Sequence, residues 1–363
     1  MSSMSRKKTL IITFQCCPNY GAVLQAYALQ EYLKTLSLDV EILDYRPESL
    51  TKQYVYINTY SIASIVMSLW SLPWYYRKKL AFKRFEQYLN LTSKTYYSKN
   101  NIDMQHIDYC FLGSDQIWNP EITSGFDPVY FGNVSLSSNS KLIAYAASIG
   151  KASFAPEEVG IFKTLMSKIP HVAMREDEAQ DLVLRTTGVK TSVVVDPTIL
   201  AGTECFKKFI YKVKYSKYVF VYRLCSDSKT IELAYDVARR KGLKVIEISG
   251  LRRGLRNSKH KVIYDAGVED FLSLLFYADY VVTDSFHGTA FSVLFHKQFI
   301  TLPHKTRGGR MKSLLSKVNL LGRISSKVSD NLLDNIVNWD DVDKRLDEIR
   351  AFSQTYIKTS IYD

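Results

Sequence analysis

Long hydrophobic runs are missing from this 363-residue chain. A membrane-crossing helix needs about 18 apolar residues in succession, and the nearest approach, Ile62 to Tyr76, is interrupted by Pro73. The apolar stretch Leu10 to Phe14 is far shorter than a signal-peptide core, so the expected location is the cytoplasm. Cysteine is scarce: five residues, at 16, 17, 110, 205 and 225, without a CxxC pair or a histidine at metal-ligand spacing. That excludes a disulfide framework and argues against structural zinc. Acidic residues fall short of basic ones, 36 Asp and Glu against 48 Lys and Arg, a formal net charge of +12. The excess calls for an acidic partner. No zinc finger or RRM signature is visible, so phosphorylated metabolites and lipid-linked sugar phosphates are expected rather than nucleic acid.

What is present describes a folded chain. Hydrophobic residues make up 46% and charged residues 23%, with only 16 Gly and 9 Pro, close to globular averages. The length exceeds one ordinary core and predicts two domains. A β-rich run, a polar or Gly-bearing loop, an amphipathic helix and a second β-rich run occur in order twice, over Thr9 to Tyr45 and over Tyr218 to Ser249. Each reads as a βαβ unit that could open its own domain. Further strand candidates end at Gly113, Ala147, Arg175, Asp196, Thr283 and Leu302, with helical patterns between most of them. Alternation of this kind predicts an α/β fold of two doubly wound, parallel-sheet, Rossmann-like domains. We place them at 1–205 and 206–335, the first on the acceptor side, with a terminal helix in 336–363 packing back on the first.

In open α/β sheets ligands bind beyond the carboxyl ends of the strands. Polar clusters just after strands are therefore the candidates: Gln15 to Gly21, Gly113 to Asn119, Ala147 to Gly150, Arg175 to Asp177, and Asp284 to Gly288. The last puts His287 at a strand-to-helix turn, where unpaired N–H groups suit an anion and an imidazole can move a proton. A capping or carbonyl-bound histidine is the plain alternative. Arg175 has two readings, a salt bridge or a planar fork gripping a carboxylate or phosphate. Arg307 and Arg310, in a Gly-bearing loop, reach an anion or are solvated. Asn19, Tyr20 and Gly21 mark a strand-to-helix turn. Ser114, Asp115, Gln116, Trp118 and Asn119 crowd hydrogen-bonding groups around an aromatic, a composition suited to sugar, although Trp118 alone reads as core.

These segments resemble the polysaccharide pyruvyl transferases: Asn19-Tyr20-Gly21-Ala22 with Leu24-Gln25-Ala26, Gly113 to Pro120, Arg175-Glu176, and Asp284-Ser285-Phe286-His287-Gly288-Thr289, in the usual order over roughly residues 9 to 320. The resemblance implies a GT-B-like fold, phosphoenolpyruvate as donor in place of any cofactor, and a ketal-linked pyruvate as product. It implies His287 as acid/base residue, and Arg175 with Ser285, Gly288 and Thr289 around the donor. Many relatives carry Arg where Ser285 stands. Arg223, Arg307 or Arg310 must then supply that charge.

Two rivals share the architecture: a nucleotide-sugar-dependent glycosyltransferase, and a non-catalytic glycan- or anion-binding relative. The aromatic stretch Ile62 to Tyr76 and the basic residues Arg77, Lys78, Lys79, Lys83 and Arg84 after it read as a core helix with a solvated basic face, or as a peripheral contact with the inner membrane surface. The acceptor is expected to be a sugar on a lipid-linked oligosaccharide.

Overall fold

The computed structural model describes residues 6–52, 62–224, 228–249, 259–302 and 308–362. Eight strands belong to the first part of the chain: β1 Lys8–Ile12, β2 Asp39–Ile42, β3 Asp103–Met104, β4 Tyr109–Leu112, β5 Ser135–Leu136, β6 Lys141–Ala147, β7 His171–Met174 and β8 Ser192–Val193. Six of them form a parallel sheet in the order β2-β1-β4-β6-β7-β8, and β3 pairs with β5 apart from it. Five more, β9 Tyr218–Arg223, β10 Lys244–Ser249, β11 Lys261–Ile263, β12 Tyr280–Thr283 and β13 Phe299–Thr301, form a second parallel sheet in the order β11-β10-β9-β12-β13. Helices cover both sheets, so central strands are apolar on both faces: Leu10, Ile11 and Ile12 are buried, as is every residue of β9.

Each strand order reverses once. In the first sheet the chain moves from β1 outward to β2, then returns to the other side of β1 at β4. In the second it moves from β9 through β10 to β11, then returns beside β9 at β12. Loops leaving neighbouring strands in opposite directions open a crevice at such a point. The crevices lie at β1/β4 and at β9/β12, and these are the strands that precede the Asn19, Ser114 and His287 motifs.

Several contacts tie the two sheets together. Tyr20, in the helix Tyr20–Thr35, stacks on Phe271 of the helix Val268–Phe276 (centroids 4.9 Å apart, planes 10°), and its hydroxyl donates to the Ala266 carbonyl at 2.8 Å. On another side, Ser313 and Lys317 of the helix Gly309–Lys317 donate to the Asp177 carboxylate at 2.6 and 3.0 Å. One apolar cluster runs from Leu24 and Ala28 through Phe206 to Phe271 and Phe291, so both sheets share a core. The closing helix Trp339–Tyr362 rests on the first sheet, where Tyr356 donates to the Ala144 carbonyl and Ser353 accepts from the Val195 amide.

Phe271 is fully buried beneath Tyr20, Tyr222 and Phe291. Phe271→Ala should lower the unfolding free energy by about 3–5 kcal/mol, the usual cost of an aromatic cavity. Chemical denaturation measures it, and a loss below about 1 kcal/mol would show that the interface does not carry the packing described.

Candidate functional site

His287 lies in the first turn of the helix Phe286–Leu294, capped by Ser285, whose hydroxyl accepts from the Gly288 amide at 3.4 Å. β12 ends three residues earlier, so the imidazole leaves the second sheet at its reversal point. It lands on the first. A Cβ built on Gly21 would come within 2.0 Å of His287 Nδ1, so only glycine leaves room for the ring. Asn19 sets that approach by capping the helix Tyr20–Thr35, its side-chain oxygen accepting from the Gly21 and Ala22 amides. The other ring nitrogen, Nε2, is buried 3.6 Å from Asp196 Oδ2 and has no hydrogen bond.

Asp196 joins the imidazole to Arg175. Its carboxylate accepts from Arg175 at 2.8 Å, from the Ser114 hydroxyl at 3.2 Å, and from the Thr198 amide and hydroxyl at 3.0 and 2.7 Å. Burial alone would push this carboxyl up, but neighbouring His287 and Arg175 and the bonds from Thr198 outweigh it and hold Asp196 well below the usual carboxylate range. Arg175 also donates to Asp115 at 3.4 Å, lies 3.8 Å from Glu176, and sits over the Phe286 ring with its guanidinium carbon 4.7 Å from the centroid. Arg310 lies over the same ring at 5.8 Å. Glu176 behaves oppositely to Asp196: burial pushes its carboxyl up, despite the charges of Arg175 and Arg310 and a 2.7 Å bond from Ser148. Glu176 Oε2 and Arg175 Nε, like His287 Nε2, are buried without a hydrogen bond. Three such polar atoms in one cluster are what a polar ligand would satisfy.

A bulge gathers these groups. The register of β6 on β7 shifts between Ala144 and Ala147, Ala146 adopts a φ of 51°, and Ala147 bridges to Asp115. The loops after β4, β6 and β7 therefore meet over one rim.

The remaining sequence candidates divide. Asp115 and Gln116 stay at this rim, Asp115 on Arg175 and Gln116 against Gly150. Ser114 is buried within a network of Gln25, Thr13 and Asp196 and supports the carboxylate rather than facing a sugar. Trp118 was expected to hold sugar; it is 0% exposed, stacked on Phe131 and bonded to the Tyr130 carbonyl, and is a core residue. Asn119 is equally buried and caps the short helix after it. Tyr20 is an interface residue whose hydroxyl is used by Ala266. Thr289 is buried, with its hydroxyl against the Ser285 carbonyl, the Thr301 hydroxyl and Met311. Gly288 packs on Thr283, which a Cβ would strike at 2.4 Å, and its amide is taken by Ser285. Arg223 is held by buried Glu247 at 2.7 Å, and Glu247 in turn by His260 at 2.8 Å, so its charge is used within the second sheet. Arg307 lies outside the described residues. A cavity of about 510 Å³ lies away from His287, lined by Trp74, Tyr211, Lys212, Lys214 and Lys261 among others.

Asp196 was not among the sequence candidates, and Glu176 entered only as a member of the Arg175 to Asp177 cluster, without a role. Asp196 carried a usable signal, a carboxylate three residues after β8 and directly before Pro197, which opens the next helix. Glu176 had only its place beside Arg175.

The model of the family described as polysaccharide pyruvyl transferase matches residues 19–306, from the Asn19 cap past the His287 helix. The chain belongs to the polysaccharide pyruvyl transferase family. No curated protein matches it significantly. Among solved structures it resembles the UDP-GlcNAc 2-epimerase of Methanocaldococcus jannaschii in complex with UDP-GlcNAc and UDP, at 14% identity over 95% of this chain and 99% of that one, with a TM-score of 0.50. UDP-GlcNAc 2-epimerase from Neisseria meningitidis bound to UDP-GlcNAc matches at 11% identity over 98% and 94%, TM-score 0.45. The glycosyltransferase SnogD from Streptomyces nogalater matches at 11% over 98% and 99%, TM-score 0.41. The fold of this pyruvyl transferase family member is thus α/β, with parallel sheets flanked by helices, related to the GT-B nucleotide-sugar enzymes.

Because Asp196 is buried, paired and depressed, it stabilises the family fold above the unfolded carboxylate pKa of about 3.9 and loses that contribution as pH falls through its folded value. Asp196→Asn should cost about 3–5 kcal/mol at neutral pH, since Arg175 then lacks its closest partner. The difference from wild type should hold down to about pH 4 and shrink below it. Urea unfolding across pH reads this, and a difference that grew on acidification would contradict the assignment.

Proposed function

We propose that this family member moves the pyruvyl group of phosphoenolpyruvate onto two hydroxyls of one sugar in a surface-polysaccharide precursor, forming a cyclic ketal and releasing phosphate. The observation that carries the reading is His287 itself: a buried imidazole at the second sheet's reversal point, seated on Gly21, with Nε2 unbonded and 3.6 Å from an ionised carboxylate. Asp196 faces the ring from 3.6 Å. In the reaction a proton adds to the methylene carbon of the donor, the neighbouring carbon becomes electrophilic, and a sugar hydroxyl adds there. Phosphate leaves with its C–O bond, and a second hydroxyl closes the ketal. One hydroxyl proton ends on the new methyl group and the other on phosphate. His287 is the proton carrier in this scheme. Glu176, a carboxyl that burial favours in its neutral form, is a second proton source in the same cluster.

Charge decides which arginine meets the donor. Arg175 already faces Asp115, Glu176 and Asp196, so most of its charge is compensated and its role is to hold the carboxylates and the Phe286 ring. Arg310, over the same Phe286 ring at 5.8 Å, is the cation we assign to the donor, in the role that the resemblance gives to an arginine at position 285. On this reading the acceptor is presented on the cytoplasmic side of the inner membrane, on a lipid-linked oligosaccharide.

Incubation with phosphoenolpyruvate and a panel of glycosides should give phosphate and a product heavier by one pyruvyl unit. Thermal stabilisation by nucleotide sugars but not by phosphoenolpyruvate would favour glycosyl transfer instead, and donor binding without phosphate release would leave only a binding protein. His287→Ala should slow turnover by about 10²–10⁴ with the fold intact; near-normal turnover removes it from the chemistry. Arg310→Ala should raise the KM for phosphoenolpyruvate about tenfold or more, consistent with loss of a charged hydrogen bond, and an unchanged KM would return the donor to another cation.

A further inference from the structure

The helix Ile62–Phe85 contains eleven basic or aromatic residues from Trp70 to Phe85 and no Asp or Glu anywhere along it. Its two faces are unlike. Toward the protein, Phe82 and Phe85 are buried, Phe82 lies 5.1 Å from Tyr20, and the Lys78 ammonium sits 4.9 Å over the Tyr20 ring. Tyr20 directly precedes Gly21, the seat of His287, so this inner face borders the cleft. Burial pushes the Lys78 ammonium down to about 8.

The outer face is apolar where a soluble helix would be polar. Leu69, Trp70, Tyr76 and Leu80 are 51%, 58%, 57% and 58% exposed. Leu69, Tyr76 and Leu80, with exposed Pro73, recur at the three- and four-residue steps that align side chains on one side of a helix. Exposed Lys79, Lys83 and Arg84 flank and extend that stripe. Alongside, Trp74 of this helix shares the 510 Å³ cavity with Lys212, Lys214 and Lys261 and with Asp265 and Asp270, of which Asp265 lies 3.7 Å from Arg77. No helix among the described residues is long and apolar enough to cross a membrane.

We propose that this outer face docks in the plane of an anionic bilayer surface, placing the cleft against the membrane where a lipid-linked acceptor is held. Apolar and aromatic side chains entering the headgroup boundary, with lysines and arginine at the phosphates, is how an interfacial helix binds. Charge complementarity selects this occupant over a second copy of a chain with net charge +12, which would bring like charges together. Delivery of the acceptor rests on the pyruvyl-transfer reading; docking does not.

The full chain should sediment with vesicles of equal parts phosphatidylglycerol and phosphatidylcholine, but not with phosphatidylcholine alone, and added salt should release it. Two double or triple variants, Trp70→Glu with Leu80→Glu, and Lys79→Glu with Lys83→Glu and Arg84→Glu, should each weaken binding at least about tenfold, given roughly fivefold per basic residue near an anionic surface. Their thermal midpoints and their turnover of a soluble glycoside should match wild type. Wild-type protein left in the supernatant, or variants that bind as wild type does, would overturn the proposal. So would a lipid-free dimer that Trp70→Glu with Leu80→Glu splits, since the face would then join two copies. Vesicle binding with no turnover of any glycoside would defeat the pyruvyl-transfer reading and leave the docking in place.

Discussion

An imidazole resting on the backbone of a glycine is the contact on which the arrangement depends. His287 belongs to the second sheet and Gly21 to the first, and the ring comes so close that a methyl group at position 21 would overlap it. Each partner is fixed independently, His287 by the Ser285 cap and the close packing of Gly288 on Thr283, Gly21 by the Asn19 cap. Tyr20 next to Gly21 stacks on Phe271, so the same turn that admits the imidazole also carries the apolar joint between the halves. Packing and site are therefore not separable here: a shift of one sheet on the other moves the ring off its seat.

The buried charges obey the same constraint. Three carboxylates around one guanidinium would be costly if all were ionised in a low-dielectric interior. The structure divides them. Asp196 gathers Arg175, Ser114, Thr198 and the imidazole and stays ionised, whereas Glu176 has fewer stabilising partners and is driven toward its neutral form. Two carboxyls within 4 Å of one arginine thus acquire opposite protonation habits from their surroundings, which is the pattern by which acid and base roles are set within one site.

Much of this was legible in the residues, for a definite reason. Parallel α/β folds put chemistry where a strand stops, and strand ends announce themselves as apolar runs that break into polar residues. Arg175 follows β7 and His287 follows β12 by that rule. The rule says nothing about direction of the side chain, so Trp118 and Thr289, in equally polar neighbourhoods, read as candidate ligand contacts although both are fully buried. Asp196 escaped because a short strand, β8, ends two residues before Val195 and nothing local shows that its loop crosses to meet His287 from the other sheet. Such a pair exists only in three dimensions. Arg223 failed for a similar reason: its partner Glu247 lies on the next strand, two residues from Ser249, which is the register partner of Arg223, and the pairing depends on the sheet rather than the loop.

On the proposed reading, Ser285 raises the question of how the site meets an anionic donor when its own turn carries no cation. Serine makes a better helix cap than arginine, because its hydroxyl is short enough to accept from the Gly288 amide. It thereby takes up one of the N–H groups that would otherwise meet an anion. Cap and cation cannot both come from one residue. The positive charge must approach from another element, and the helix Gly309–Lys317 is suited to bring it: Gly309 packs closely on Glu178, Ser313 and Lys317 anchor on Asp177, and Arg310 between them reaches the Phe286 ring beside the imidazole. That helix clasps the first sheet from the second, so a charge placed on it is set by how the halves close. If Arg310 meets the donor as proposed above, anion affinity is coupled to how the two halves meet, whereas a charge carried within the His287 turn would be present whatever their arrangement.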